Sequence, residues 1–352
     1  MTHEPPLLPS ASRRGELPLL GLSTAILVLV AIHLAWPILA PLVFSLFVIA
    51  LVWPLQLALQ SRIPRLLGVV VTVLVVTVTI AVIGTLLTWG FSRAARWLIA
   101  DAARFQAMYL QATEWFEGHG FAVAGLFGDV FTPGRMLSAA QTVGVWLQMI
   151  LSFSAVTLVF TILGLLEVDH AAAKLRALPN VARAEALARA ARDTAAKLQT
   201  YMLVRTAMSL ITGVLVAGFA ALVGLPLAVE WGVIAFALNY IPFIGPFVAT
   251  VIPTLFAISQ FGSWETPLAV FAGFNVIQFV VGSYLEPRIA GNALSISPFI
   301  VLLAVFLWSF LWGLPGAFIG VPIVIAILTT CEQFEGSRWV ARLLAGPGAG
   351  KE

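Results

Sequence analysis

Apolar residues run along this chain in long stretches, separated by short polar islands. No charged residue lies between Glu16 and Arg62, between Arg65 and Arg93, or between Arg135 and Glu167. The same holds from Arg205 to Glu230, Glu230 to Glu265, Glu265 to Glu286 and Arg288 to Glu332. A helix needs about 20 apolar residues to cross a hydrocarbon core, and each gap reaches or approaches that length. Buried helices of water-soluble proteins carry shorter runs, of about 10–14 residues. The pattern therefore predicts helices solvated by lipid.

The predicted spans are 17–35, 38–59, 66–90, 145–166, 202–223, 266–285, 295–312 and 314–331. Trp36, Pro37 and Pro41 interrupt the first two, which predicts a tight helical hairpin. The Val- and Thr-rich run 69–79 would suggest a strand in water. In lipid, backbone groups must be satisfied internally, so a helix is expected. Residues 231–260 are apolar but are broken at Asn239-Tyr240-Ile241-Pro242-Phe243-Ile244-Gly245-Pro246 and again at Pro253. The expected fold is all-α: a polytopic transmembrane bundle of about eight spans, with a broken, re-entrant segment near 231–260. A Pro-rich tail, 1–16, is expected to be disordered. One membrane domain, 17–332, and a tail, 333–352, follow.

Two polar excursions interrupt the domain, 91–144 and 167–200. In the first, Ala94, Trp97, Leu98, Phe105, Met108, Tyr109, Ala112, Trp115 and Phe116 recur at helical spacing. That stripe predicts an amphipathic helix lying on the membrane or on the other spans. The second is Ala-rich and helical, with Pro179-Asn180 as a break and N-cap.

Composition agrees with this picture. The 352 residues are 61% hydrophobic and 10% charged, whereas a soluble domain is about a quarter charged. No soluble fold of this length could hide so much apolar side chain. Net charge is +3, and no basic stripe is visible, so nucleic acid is not an expected partner. One cysteine, Cys331, excludes an internal disulfide, and the four histidines lack metal-ligand spacing. No P-loop, zinc-protease motif or nucleophile elbow occurs, so neither a cofactor nor an enzyme activity is expected.

Lys and Arg set the orientation. Arg13, Arg14, Arg62, Arg65 and the basic residues of 167–200 fall on one side if the first five spans each cross once. That side is the expected cytoplasm, and 91–144 is then outside. Arg288 and the tail residues Arg338, Arg342 and Lys351 join the cytoplasmic side only if 231–260 dips in and returns. Both termini are then cytoplasmic, in a bacterial-type inner membrane.

Three places could carry function. The first is the break containing Asn239, Tyr240, Pro242, Gly245 and Pro246, because non-helical backbone at membrane depth is tolerated only inside protein or beside a water-filled cavity. The second is Glu286-Pro287-Arg288 with Gly291 and Pro298, next to a span carrying Asn275 and Gln278; an intramembrane carboxylate suggests an ion or proton site. An Arg288 partner would instead make Glu286 a structural ion pair. The third is Gly313, Gly316, Gly320 and Pro322, read as close packing or as a hinge. Arg205 is expected to snorkel toward headgroups, and His33 to be an interfacial residue with satisfied hydrogen bonds.

Residues 201–213 (YMLVRTAMSLITG), 239–247 (NYIPFIGPF), 285–298 (LEPRIAGNALSISP) and 311–322 (LWGLPGAFIGVP) resemble the autoinducer-2 exporter family of bacterial permeases. The resemblance covers the chain from about residue 17, and its specificity rests on 200–330. It implies a secondary transporter of a small solute, such as a quorum-sensing signal, or a sodium or lithium antiporter. Its motif positions here are Asn239, Pro242, Gly245, Pro246, Glu286, Pro287, Gly291, Pro298, Gly313, Gly316 and Pro322. The expected partners are the lipid bilayer and a small-molecule or ion substrate. A homo-oligomer is left open, as is a membrane scaffold that transports nothing.

Overall fold

The computed structural model describes residues 13–100, 104, 106–107, 110, 113–114, 117–119, 133–261, 264–290, 296–344 and 346. Every residue of the proposed amphipathic stripe after residue 100, Phe105 to Phe116, lies outside them, as do Gly291 and the N-terminal tail through residue 12. Among the described residues, regular structure is helical throughout. The helices are α1 (Arg13–Leu34), α2 (Trp36–Gln60), α3 (Arg65–Ala100), α4 (Pro133–Arg176), α5 (Val181–Leu222), α6 (Ala228–Leu238) and α7 (Ile244–Gln260). Next comes α8 (Glu265–Phe279), which continues through a π-helical turn, Val280–Leu285, into Glu286–Ala290. Then follow α9 (Pro298–Gln333), a 3-10 turn at Glu335–Ser337, and α10 (Arg338–Leu344).

Among the described residues, six helices are long and apolar enough to cross a membrane: α2, α3 through Trp97, α4 from Gln148, α5, α8 to Ile289, and α9. Leu19–Leu34, α6 and α7 are shorter apolar helices. Large apolar side chains, among them Val70, Val78, Leu163, Leu203, Leu210, Val214, Val276 and Phe306, stand uncovered on the outside. Such a surface is solvated by acyl chains, and the chain is a helical membrane bundle.

The first two helices do not form the expected hairpin. Ala35 is the only residue between them, with φ −83 and ψ 8. A single such joint bends the chain without supplying a loop that folds it back. Residues 19–31 of α1 are exposed on every face. What holds α1 is its C-terminal end, where the Trp312 indole N–H donates to the Ile32 carbonyl at 3.2 Å. His33 Nδ1 also lies 2.9 Å from the Leu311 carbonyl. His33 is therefore satisfied, by protein rather than by headgroups.

Two genuine helical hairpins lie further along. In the first, α6 and α7 are antiparallel: Trp231 packs edge-on to Phe256 at 5.1 Å, and a Cβ on Gly245 would collide with the Leu238 carbonyl. Segment 231–260 thus doubles back on itself. At a rise of 1.5 Å per residue, α6 is only about 16 Å long, too short to cross the core alone.

The second hairpin is α9 itself. Gly313 takes φ 65 and ψ −142, which no helix contains. A Cβ on Gly316 would strike the Trp308 carbonyl, and one on Gly320 would lie 2.9 Å from the Ala304 carbonyl. These pairings run antiparallel about residue 313. A straight helix over Pro298–Gln333 would be about 54 Å long. Instead, the chain reverses at Gly313, and the following α10 returns to the start of α9, where the Ser297 N–H reaches the Leu344 carbonyl at 3.4 Å. The final Gly residues are packing positions: they let the limbs of one hairpin touch.

α5 is the central post. Near Leu198 and Tyr201 it joins an apolar cluster with α2 and both limbs of α9. Near Val216 and Ala220 it joins a second cluster with the end of α3, the α6–α7 hairpin and the start of α8. Gly213 and Gly232 let α5 and α6 approach until a Cβ on either would lie within 3 Å of the other's carbonyl. Asn180 caps α5, accepting from the Arg183 N–H at 3.0 Å. Salt bridges tie the polar ends together, Arg65 to Asp169 at 3.1 Å and Lys197 to Glu332 at 2.8 Å.

Candidate functional site

Between its two apolar clusters α5 carries Tyr201, Arg205, Ser209 and Thr212, all buried. Their spacing of three or four residues aligns them on one face. That face looks at the turn between α6 and α7 and at the C-terminal part of α8.

The turn is built by its prolines and an unusual backbone. α6 ends at Asn239, and Pro242 and Pro246 cannot donate to any ladder. Phe243 takes φ 64 and ψ −52, and the Ile244 N–H donates to the Pro242 carbonyl at 2.7 Å. This is a γ-turn of the rare, strained kind. Its consequence is to point two polar side chains back at α5. The Asn239 amide donates to Ser209 Oγ at 3.3 Å, and the Tyr240 hydroxyl to Thr206 Oγ1 at 3.0 Å. Gly245 is the point where α7 grazes the end of α6, and the Pro246 carbonyl accepts from Thr250.

α8 contributes Glu286. Val281 packs on Val204 and Met208, so α8 runs antiparallel to α5 and brings Glu286 opposite Arg205. Both carboxylate oxygens lie 2.8 Å from Arg205 Nη1. The Arg205 side chain is 7% exposed and that of Glu286 28%. Arg205 therefore does not snorkel; a carboxylate inside the bundle holds it. Arg288, the partner weighed from the sequence, turns away to lie over the Tyr284 ring at 4.1 Å. The π turn Val280–Leu285 immediately precedes Glu286, and such turns recur at functional sites.

Several buried donors in this seam have no partner among the described residues: Arg205 Nε, the Tyr201 and Thr212 hydroxyls and the Gln278 amide nitrogen. Native interiors seldom leave such groups unmade unless water, an ion or a ligand completes them. The register of α8 on α5 sets Gln278 level with Thr212. The seam is thus a polar track, from Tyr201 to Thr212, enclosed by apolar packing at both ends.

Asn239, Tyr240, Gln278 and Glu286 of the expected set meet here. Asn275 does not; it is exposed and donates to the Phe271 carbonyl of its own helix. Pro287 and Pro298 lie away from the seam, the latter opening α9. Gly313, Gly316, Gly320 and Pro322 belong to the α9 hairpin, which borders the seam where Phe318 stacks on Tyr240 at 5.8 Å and where its apolar side chains pack around Tyr201. Sequence reasoning missed Tyr201, Ser209 and Thr212, although polar residues at helical spacing inside an apolar span were a legible signal. A second ion pair, buried Glu230 on α6 with the half-exposed Arg93 on α3 at 2.9 Å, braces the far end of the bundle.

Open space lies elsewhere. A cavity of about 410 Å3 beside α4 is lined by Leu166, Glu167, His170, Ala171 and Lys174. A shallow open groove runs along the outside of α3 by Val78, Ala81, Val82, Thr85 and Leu86.

A family model described as AI-2E family transporter matches residues 22–336. The chain is 28% identical over 327 residues to the AI-2 transport protein TqsA of Escherichia coli (strain K12), covering 92% of this chain and 94% of that one. It is 25% identical over 340 residues to a Haemophilus influenzae protein named for transport without a substrate, covering 93% and 95%. Over 151 residues, 43% of each chain, it is 37% identical to Escherichia coli (strain K12) YhhT, likewise named for transport alone.

Proposed function

Since the chain belongs to the AI-2E transporter family and is a multi-pass membrane transport protein, we propose that it is a secondary transporter moving a small solute by alternating access through the polar seam of α5. The observation that carries this reading is the set of orphaned donors along one helix face, opposite a broken hairpin and a carboxylate. Broken helices that present polar groups at membrane depth are the usual substrate sites of such proteins. The described state is closed at the seam, as one end of an alternating cycle requires. The two hairpins supply the mobile parts, and α5 the fixed one. TqsA is named for AI-2 transport, which makes a quorum-sensing signal one candidate solute. On this reading the protein lies in a bacterial inner membrane with its C-terminus cytoplasmic; the N-terminus shares that side only if α1, which bends at Ala35 rather than folding back on α2, crosses separately.

Exchange of sodium or lithium for protons is the second reading. It is less favoured because the buried Glu230 and the partly exposed Glu286 both already face an arginine, which repels a cation. A scaffold without transport would leave the orphaned donors without use.

Thiol labelling tests the path. With Cys331 replaced by Ser, single cysteines at Ser209 and Asn239 should react with a membrane-impermeant reagent and thereby block solute flux in liposomes. Cysteines inert from both sides of the membrane would remove the path.

A further inference from the structure

Resting on that transport reading, we infer that Arg205 is the solute-binding group, that its ligand is a small oxyanion of the carboxylate type, and that Glu286 holds the ligand's place in the closed state. The geometry around the guanidinium points there. Arginine favours carboxylates through two parallel N–H bonds. Here Glu286 takes only Nη1, with both of its oxygens at 2.8 Å, and leaves the buried Nε–H unpaired. One helical turn earlier on the same face, the buried Tyr201 hydroxyl lies against the Arg205 guanidinium and has no acceptor of its own. Arg205 and Tyr201 are 6% and 7% exposed. Two buried donors on one face, one of them cationic, make a cradle for acceptor oxygens.

The two partners differ in freedom. Arg205 sits midway along α5, flanked by Val204 and Met208, which pack on Val281. Glu286 is partly exposed and follows directly on the π turn, whose conversion to α-helix would rotate everything after it. The carboxylate is therefore the member that leaves.

Charge balance then dictates a proton. Arg205 with Glu286 is neutral. Arg205 with a monovalent anion and a free Glu286 carboxylate would carry one negative charge in a site of low dielectric, which is costly. If the displaced Glu286 takes a proton from the water through which the anion arrived, the site is neutral again. The titratable groups beside Glu286 are Arg205 and Tyr201 from α5; Tyr284 and Arg288, two residues away on its own helix, stack on each other and face away from it. Release reverses the step: the anion leaves, Glu286 gives up its proton and returns to Arg205. Each cycle moves one anion together with one proton, without net charge.

The purified full-length chain in liposomes loaded with a pH dye tests this, with pyruvate as the anion, inorganic phosphate as a second oxyanion and glycerol as a neutral control. Pyruvate entry should acidify the interior one proton per anion and be indifferent to a potassium–valinomycin clamp. Arg205→Gln should lower pyruvate entry about ten- to a hundredfold, the worth of a charge-assisted hydrogen bond. Glu286→Gln should abolish net proton-coupled entry yet preserve exchange of labelled for unlabelled pyruvate, because the arginine can no longer return empty and neutral. Arg205-dependent entry of phosphate alone would keep the oxyanion but overturn the carboxylate. If Arg205→Gln fails to fold, thermal stabilisation of the wild type by pyruvate and not by glycerol decides the matter. Pyruvate entry unchanged by Arg205→Gln, or glycerol entry without anion entry, overturns the inference and leaves transport standing. No flux of any probe, with inert cysteines at Ser209 and Asn239, overturns both.

Discussion

Arg205 and Glu286 are 81 residues apart in sequence, and each reads differently alone than together. An isolated arginine near the start of an apolar span looks like an interfacial residue, and an isolated Glu-Pro-Arg looks like a self-contained pair. Their meeting follows from which face of α5 receives α8, and a linear pattern does not specify that. Asn239 and Tyr240 were legible because an Asn, two prolines and a glycine inside one apolar run cannot all be fitted into a regular helix. What could not be read was the conformation of Phe243. An aromatic residue at φ 64 is held there by the two helices it joins, at a cost of about 1–3 kcal/mol. Because the Phe243 side chain is half exposed, Phe243→Gly should relieve that strain and stabilise the protein by about 1 kcal/mol. Thermal unfolding in detergent measures it; an unchanged or lower midpoint would show that the ring's contacts outweigh the backbone term.

At the scale of elements, hydrophobic run length located most of the helices, and Asn180 marked the start of α5 correctly. Run length does not say how one helix leaves another. Ala35 looked like a hairpin because a tryptophan and two prolines follow it, yet it only bends the chain. Gly313 is flanked by apolar sequence on both sides and makes the sharper reversal. The difference is in dihedral space: the region at φ 65 and ψ −142 is nearly closed to residues with a Cβ. Gly313→Ala should therefore cost about 1–3 kcal/mol and loosen the α9 hairpin. Faster proteolysis after Gln333, or earlier thermal unfolding, is the expected outcome; an unaltered midpoint would mean that the limbs can reverse by another geometry. The π turn before Glu286 left no trace in the sequence, since it differs from α-helix by one hydrogen-bond step.

At the scale of the molecule, α5 organises everything else. It carries an apolar cluster at either end and a polar seam between them, so the hairpins and α8 converge on one face. The reversal of α9 at Gly313 and the return of α6–α7 suit a topology in which Arg288 and the C-terminal tail share one side. A C-terminal reporter fusion should be active in the cytoplasm, and one active outside would break the charge argument.

The sequence by itself determined that this is a lipid-solvated helical bundle, where its helices run and which segment is broken, because the cost of putting charge or open backbone into hydrocarbon is large and local. Tertiary structure alone decided which polar groups share a site. Side-chain pairing depends on helix rotation and register, and these are set by small-residue contacts such as Gly213 on Gly232 and by turns of one residue, whose energies are small and whose geometry is long-range.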